Sequence, residues 1–248
     1  MTSFRIDVET DGNVYTAHLS DSNDKDILAL DASLTTTINK SGSLTFTIAP
    51  SNNAYNHIKK IRSIVTVYRD EVALWKGRVL ETEKDFYNKL TVTCEGWLSV
   101  LMDSVVMPMG DPDNPPEFGL EALFQMLINN HNAQVIEYSS GENPVITNSD
   151  KVLNVRMHGI PSYVGVFPIG NYETTLDYIQ ENLVAEHGGR IWVADNNIFW
   201  YGDEQIDPSY QSIVFGENLL DLSEHIDASD IYTVLVATGS IPSESNES

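Results

Sequence analysis

The stretch IVTVYRDEVALWKGRVLE, residues 64–81, followed by FYNKLTVTCE, residues 86–95, decides the fold. Three strand-like runs lie here: Ile64–Arg69, Val72–Glu81 and Phe86–Glu95. Asp70-Glu71 separates the first two, and Tyr87-Asn88-Lys89 lies near the second turn. Their β-branched and aromatic content and the tight polar breaks predict consecutive antiparallel strands.

The same pattern continues toward the amino terminus. Phe4, Ile6 and Val8 alternate, and Val14–Leu19 answers them across Asp11-Gly12-Asn13. Leu34–Ile38 and Leu44–Ile48 flank Asn39-Lys40-Ser41-Gly42, whose glycine suits a turn. Between Pro50 and the central run, Tyr55, Ile58 and Ile61 fit one face of a short helix over Ala54–Ile61. Many short strands at this spacing predict a barrel or a sandwich.

Toward the carboxyl side the character changes. Gly96–Met102 reads as a short helical exit with Trp97, Leu98 and Leu101 apolar. Pro108, Pro112, Pro115 and Pro116 then forbid regular structure, and the domain boundary falls there. Leu120, Leu123, Phe124, Leu127 and Ile128 make a helical stripe. Thr174 with Asp177 three residues on is an approximate capping box. The helix it opens shows Leu176, Ile179, Leu183 and Val184 on one face and stops at Gly188-Gly189. A hairpin comes next, Arg190–Ala194 and Ile198–Tyr201, and Ile231–Ala237 reads as one more strand. Residues 135–171 carry only weak strand signals.

Charge narrows the partners. The 248 residues hold 36 acidic and 14 basic side chains, a formal charge of −22. Residues 1–89 are nearly balanced, with 11 basic and 12 acidic groups, whereas 90–248 hold only Lys151, Arg156 and Arg190 against 24 acids. Wrapping nucleic acid needs clustered cations to displace counterions, so this distribution excludes it. It also argues against docking on an anionic membrane. No apolar run approaches the roughly 20 residues of a membrane span, and the opening MTSFRID alternates and turns acidic within ten residues, unlike a secretory leader. The one cysteine, Cys94, cannot form an internal disulfide, which fits synthesis in a reducing cytoplasm.

The chemistry-bearing residues form no motif. Nucleophile elbows, zinc spacings, phosphate-binding loops and dinucleotide fingerprints are absent. Cys94 alternates with Val92 on one strand and reads as a buried thiol. Asp111, Asp113 and Glu117, like Asp21, Asp24 and Asp26, resemble fragments of calcium loops but lack the glycine and closing glutamate that define them. His131 and His187 sit at predicted helix ends, where capping is the simplest role. His18 and His57 lie in the β-rich half, and His158 and His225 have no evident partner. Trp192, Trp200 and Tyr201 could form a sugar-stacking platform, testable by Trp200→Ala, although alternation sends at least one of them into a core. No catalytic, cofactor-binding or metal residue is assigned, and no cofactor is expected. These features favour a structural or binding protein over an enzyme.

Several phrases together resemble a phage tail family: SIVTVYRD (63–70), WKGRVLETE (75–83), LTVTCEGWL (90–98), LFQMLINNHN (123–132) and GENLLDLS (216–223). The chain resembles the prophage tail-endopeptidase or tail-associated lysin group of long-tailed phages, similar in fold to baseplate hubs. That resemblance implies an α+β chain with a tail-tube-like β-barrel over 1–102 and an intervening α/β domain over 103–220. Residues 221–248 would open a second, truncated barrel and end in a disordered tail. It further implies a tail-tip protein that assembles as a ring on the distal tail protein, neighbours the tape-measure protein, and closes or continues the tube for DNA passage. A homotrimer is implied where the second barrel is complete. The family's lysin activity belongs to separate C-terminal domains, so no activity carries over. The alternatives are a cell-wall-degrading enzyme and a carbohydrate-binding adhesin.

Overall fold

A computed structural model describes residues 3–202 except 112, 114, 140–147 and 169. The strand expected at Ile231–Ala237, the 216–223 phrase and His225 lie outside the described residues.

The decisive stretch forms three antiparallel strands. β1 is Phe4–Thr10, β2 Asn13–Leu19, β3 Ala29–Thr35, β4 Ser43–Ile48, β5 Ile64–Arg69, β6 Val72–Lys84 and β7 Leu90–Gly96. They make one seven-stranded sheet in the order β2-β1-β5-β6-β7-β4-β3. Two-residue turns join β1 to β2 and β5 to β6, with positive φ at Asp11, Gly12, Asp70 and Glu71. That mirror-image turn geometry matches the right-handed twist of the strands.

The sheet curls into a half-barrel around one core, in which Phe46, Val65, Val79, Val92 and Cys94 are buried. Its two edges, β2 and β3, share no strand ladder; side chains bridge them instead. Buried Asn52 donates through Nδ2 to the carbonyls of Ala17 at 2.9 Å and Leu28 at 3.3 Å. The Ala29 N–H donates to His18 Nδ1 at 3.3 Å. The opposite face is threonine-rich, and the Thr47 and Thr91 hydroxyls meet across β4 and β7 at 3.0 Å.

Two local expectations are corrected. Ala54–Ile61 is a run of turns, not a helix, because successive bonds span three residues (Tyr55 N–H to Asn52 O, His57 N–H to Ala54 O). Ile61 has positive φ and leaves the apolar face, while Tyr55 and Ile58 pack on the core as expected. The third strand begins at Ala29 and not at Leu34, since a bulge between Leu30 and Ser33 breaks the alternation that would have revealed it.

A 3₁₀ helix, Trp97–Asp103, continues from β7 and packs across the other face of the sheet. Trp97, Leu98, Val100 and Leu101 belong to a second core, together with Ile64 from β5. The rest of that core is supplied by the chain beyond the prolines. Its elements begin with β8 (Glu117–Gly119), α1 (Leu120–Ser139), α2 (Asn148–Lys151), β9 (Asn154–His158) and β10 (Val164–Val166). The predicted stripe of α1 is fully buried at Leu120, Leu123, Phe124, Leu127 and Ile128. Thr174 caps α3 (Thr175–Tyr178) by accepting from the Asp177 N–H. The helix runs on through a π turn, Ile179–Val184, into α4 (Ala185–His187), and Gly188 ends it with φ 76°. β11 (Arg190–Ala194) and β12 (Asn197–Tyr201) form the expected hairpin, and β9 adds parallel to β12.

Candidate functional site

Polar side chains concentrate where the two cores meet. Arg78, on the outer face of β6, is buried under the 3₁₀ helix. Its guanidinium donates to Glu95 Oε1 at 2.7 Å and Asp103 Oδ2 at 2.6 Å. Lys151 Nζ reaches the same Asp103 oxygen at 2.6 Å. Burial pushes the Asp103 carboxyl up, but the hydrogen bonds and charges of Arg78 and Lys151 outweigh it and hold it below its ordinary value. Two cations and two carboxylates thus tie the first sheet, the 3₁₀ helix and α2 together.

A neutral chain of bonds lies beside this cluster. His131 is fully buried, with Nδ1 2.8 Å from Ser104 Oγ and Nε2 3.1 Å from the Lys151 carbonyl. A carbonyl can only accept, so Nε2 carries the proton, Nδ1 accepts from Ser104, and Ser104 accepts from Thr175 at 2.8 Å. Burial lowers the His131 pKa. The helix-end capping expected for His131 is therefore corrected: α1 runs to Ser139, and the histidine sits inside it. His187 does close a helix, and its ring also packs 4.7 Å from Tyr163.

The Ser104–His131 contact has the atoms of a nucleophile and base, yet both residues are sealed from solvent and the third partner is a backbone carbonyl. Its evident work is cohesion. The neighbouring polar residues of α1 act alike: the Gln134 amide pairs with both backbone groups of Val105, and that of Asn132 with both of Leu153. Such amides satisfy irregular backbone that no strand reaches. Sequence reasoning missed them because the apolar stripe stops at Ile128 and His131 reads as a helix end, which leaves NNHNAQ (129–134) past the buried face. The signal was its position, in register with the apolar stripe at Leu127 and Ile128.

Other candidate residues have local partners. Cys94 is buried, which pushes its thiol up to about 12. Asp24 caps a short turn by accepting from the Asp26 N–H, and Asp111 accepts from the Asp113 N–H. Among the described residues, no three His, Cys, Asp or Glu side chains gather as a metal cluster. No helix among them is long and apolar enough to cross a membrane. His57 stacks on Tyr15 with ring centroids 3.9 Å apart, and His158 lies 5.7 Å from the Tyr201 ring.

The hairpin aromatics divide between core and surface. Trp200 is fully buried against Phe124, 5.1 Å between centroids. Trp192 is 40% exposed and stacks on Phe199 at 4.9 Å, with Tyr201 edge-on at 5.0 Å. Any sugar platform would therefore use Trp192, Phe199 and Tyr201, and Trp200→Ala would test the core. A second exposed aromatic pair, Phe86 and Tyr87, occupies the tip of the β6–β7 hairpin, where Asp85 Oδ1 accepts from the Tyr87 and Lys89 N–H groups. Both places present aromatic area to solvent.

No family model matches the chain, and no curated protein sequence matches it. Solved structures do. The prophage tail protein gp18 from Listeria monocytogenes EGD-e aligns over 81% of this chain and 51% of its own, at 12% identity and a TM-score of 0.50. The tail protein from Neisseria meningitidis MC58 aligns over 79% of this chain and 50% of its own, at 11% identity and the same TM-score of 0.50. The 43 kDa tail protein of prophage MuSo2 from Shewanella oneidensis covers 81% of this chain and 56% of its own, at 14% identity and a TM-score of 0.46. The chain thus shares a fold with the Listeria prophage tail protein and the Neisseria tail protein. It spans about half the length of the solved chains it matches.

Proposed function

We propose that the protein is a structural component of a phage tail, and within it a tail-tip hub that assembles on the distal tail protein. The observation that carries this reading is the fold shared with two solved tail proteins over about four-fifths of the chain. The interior supports it. Arg78, Asp103 and Lys151 bind two cores into one body, which suits a part that must transmit load between neighbours. Exposed aromatics and threonine-rich sheet surface supply contact area for assembly. In this reading the chain joins a ring that closes or continues the tube, borders the tape-measure protein, and lets DNA pass without binding it. It catalyses no reaction and uses no cofactor; the Ser104–His131 pair is structural.

Light scattering on the full chain, alone and with the distal tail protein of the same phage, tests the assignment. The expected result is a defined complex of higher mass. A chain that stays monomeric and never binds the distal tail protein overturns the hub assignment.

A further inference from the structure

One groove stands out in this acidic molecule. It runs between the outer edge of β11 and the start of β6, as two adjoining cavities of about 310 and 370 Å³ that share Leu74, Trp75, Lys76, Trp97 and Val193. The first cavity is lined by Lys40, Lys76 and Arg190 and by no acidic side chain. The second ends at Glu9 and Asp195. In a chain of formal charge −22, a lining with cations alone at one end is a strong local departure. Buried Trp75 and Trp97, which line both cavities, have indole N–H groups without an acceptor among the described residues.

The groove also exposes an unfinished strand ladder. β11 is the edge of its sheet, whose order is β11-β12-β9. Ala194 and Asn197 flank the two-residue turn, where Asp195 and Asn196 have positive φ, so they form a hydrogen-bonded pair. Alternation then points the backbone groups of Ile191 and Val193 away from β12, toward the groove. Asn39 begins the pairing on that side: its Nδ2 donates to Gly189 O at 3.1 Å and its Oδ1 accepts from the Ile191 N–H at 2.8 Å. The side-chain amide thus stands where a neighbouring strand's peptide group would. Gln180, in the π turn, donates to Asn39 O at 2.6 Å and steadies the loop. Beyond Asn39, the Ile191 carbonyl and both backbone groups of Val193 have no partner among the described residues.

We infer that this groove binds an extended, acidic segment of a partner protein, which adds to β11 as a fourth strand. Main-chain bonds to Ile191 and Val193 supply affinity, as in other strand-addition sites. The end of the segment beside Lys40, Lys76 and Arg190 carries carboxylates, and the end beside Glu9 and Asp195 does not. An apolar side chain of the segment lies on Trp192 and Leu74. Asn39 preforms the groove, so little ordering is needed on this side of the interface.

The test uses the full chain and two fluorescein-labelled peptides, Glu-Asp-Val-Thr-Phe-Thr-Val and its Lys-Lys-Val-Thr-Phe-Thr-Val counterpart. Fluorescence anisotropy should show the acidic peptide binding at least about tenfold more tightly, with affinity falling as salt rises. Arg190→Glu and Lys40→Glu, both on exposed side chains, should each weaken it about fivefold while leaving the thermal melt unchanged. Amide exchange at Val193 should slow on binding. Equal binding of the two peptides, or no binding of either, overturns the inference. So does acidic-peptide binding that leaves Val193 exchange unchanged or ignores both charge reversals.

Discussion

Replacing Asp103 by alanine tests how the two cores are joined. The carboxylate holds Arg78 and Lys151, each at 2.6 Å. Without it, Arg78 keeps Glu95 at 2.7 Å, but Lys151 loses the one side-chain acceptor it has among the described residues. The Lys151 side chain is 13% exposed, so the stranded ammonium is poorly hydrated. Breaking a buried pair from one side costs about 3–5 kcal/mol, and the 25% exposure of Asp103 lowers the expectation below that range, to about 2–3 kcal/mol. For a chain of this size that corresponds to a fall in Tm of roughly 5–10 °C. The assay is urea unfolding monitored by circular dichroism, with an unchanged slope and a lower midpoint. Adding Lys151→Met to Asp103→Ala should recover about 1 kcal/mol or more, because it removes the stranded charge. A loss under about 0.5 kcal/mol for Asp103→Ala, or no recovery in the double variant, refutes the reasoning. The pH dependence has a fixed sign. The folded pKa of Asp103 is depressed, so its stabilisation is complete above the unfolded value of about 3.9 and is lost as pH falls through the folded one.

The interior sets three further outcomes. Burial lowers the His131 pKa from 6.5, so its contribution is full above about pH 6.5 and declines below it as the unfolded chain gains the proton; urea midpoints between about pH 5 and 7.5 should flatten in His131→Gln, and an unaltered slope contradicts this. Cys94, with its thiol pushed up to about 12, should react with maleimide only at the rate of unfolding, and rapid labelling of the folded chain contradicts its burial. Trp200→Ala should cost about 3–5 kcal/mol, whereas Trp192→Ala, on an exposed ring, should change the melt by no more than about 1 kcal/mol; similar losses for both would contradict the division of the hairpin.

The strands at the centre of the sheet were legible because β-branched and aromatic residues dominate them and tight polar turns separate them, although Ile64 and Arg78 are buried on the face opposite Val65 and Val79. The α1 stripe and the Thr174 cap were likewise legible from local sequence. What escaped is non-local. β3 hides behind its bulge, and the half-barrel is bridged by Asn52 and His18 rather than by strand pairing. The polar layer was illegible because its members are scattered: Arg78, Asp103, Ser104, His131, Lys151 and Thr175 lie up to about a hundred residues apart. Each reads as surface on its own segment. Only packing of the 3₁₀ helix against both the sheet and α1 brings them together. The groove beside β11 escaped likewise, since Lys40, Lys76 and Arg190 are ordinary surface cations until loop, strand and hairpin meet.

In the proposed role this protein is built into a phage tail. Gold-labelled antibodies against the chain, applied to purified particles and viewed by electron microscopy, test it most directly. Label is expected at the distal end of the tail, together with peptides of the chain in the mass spectrum of the same particles. Particles that carry neither label nor peptides would contradict it.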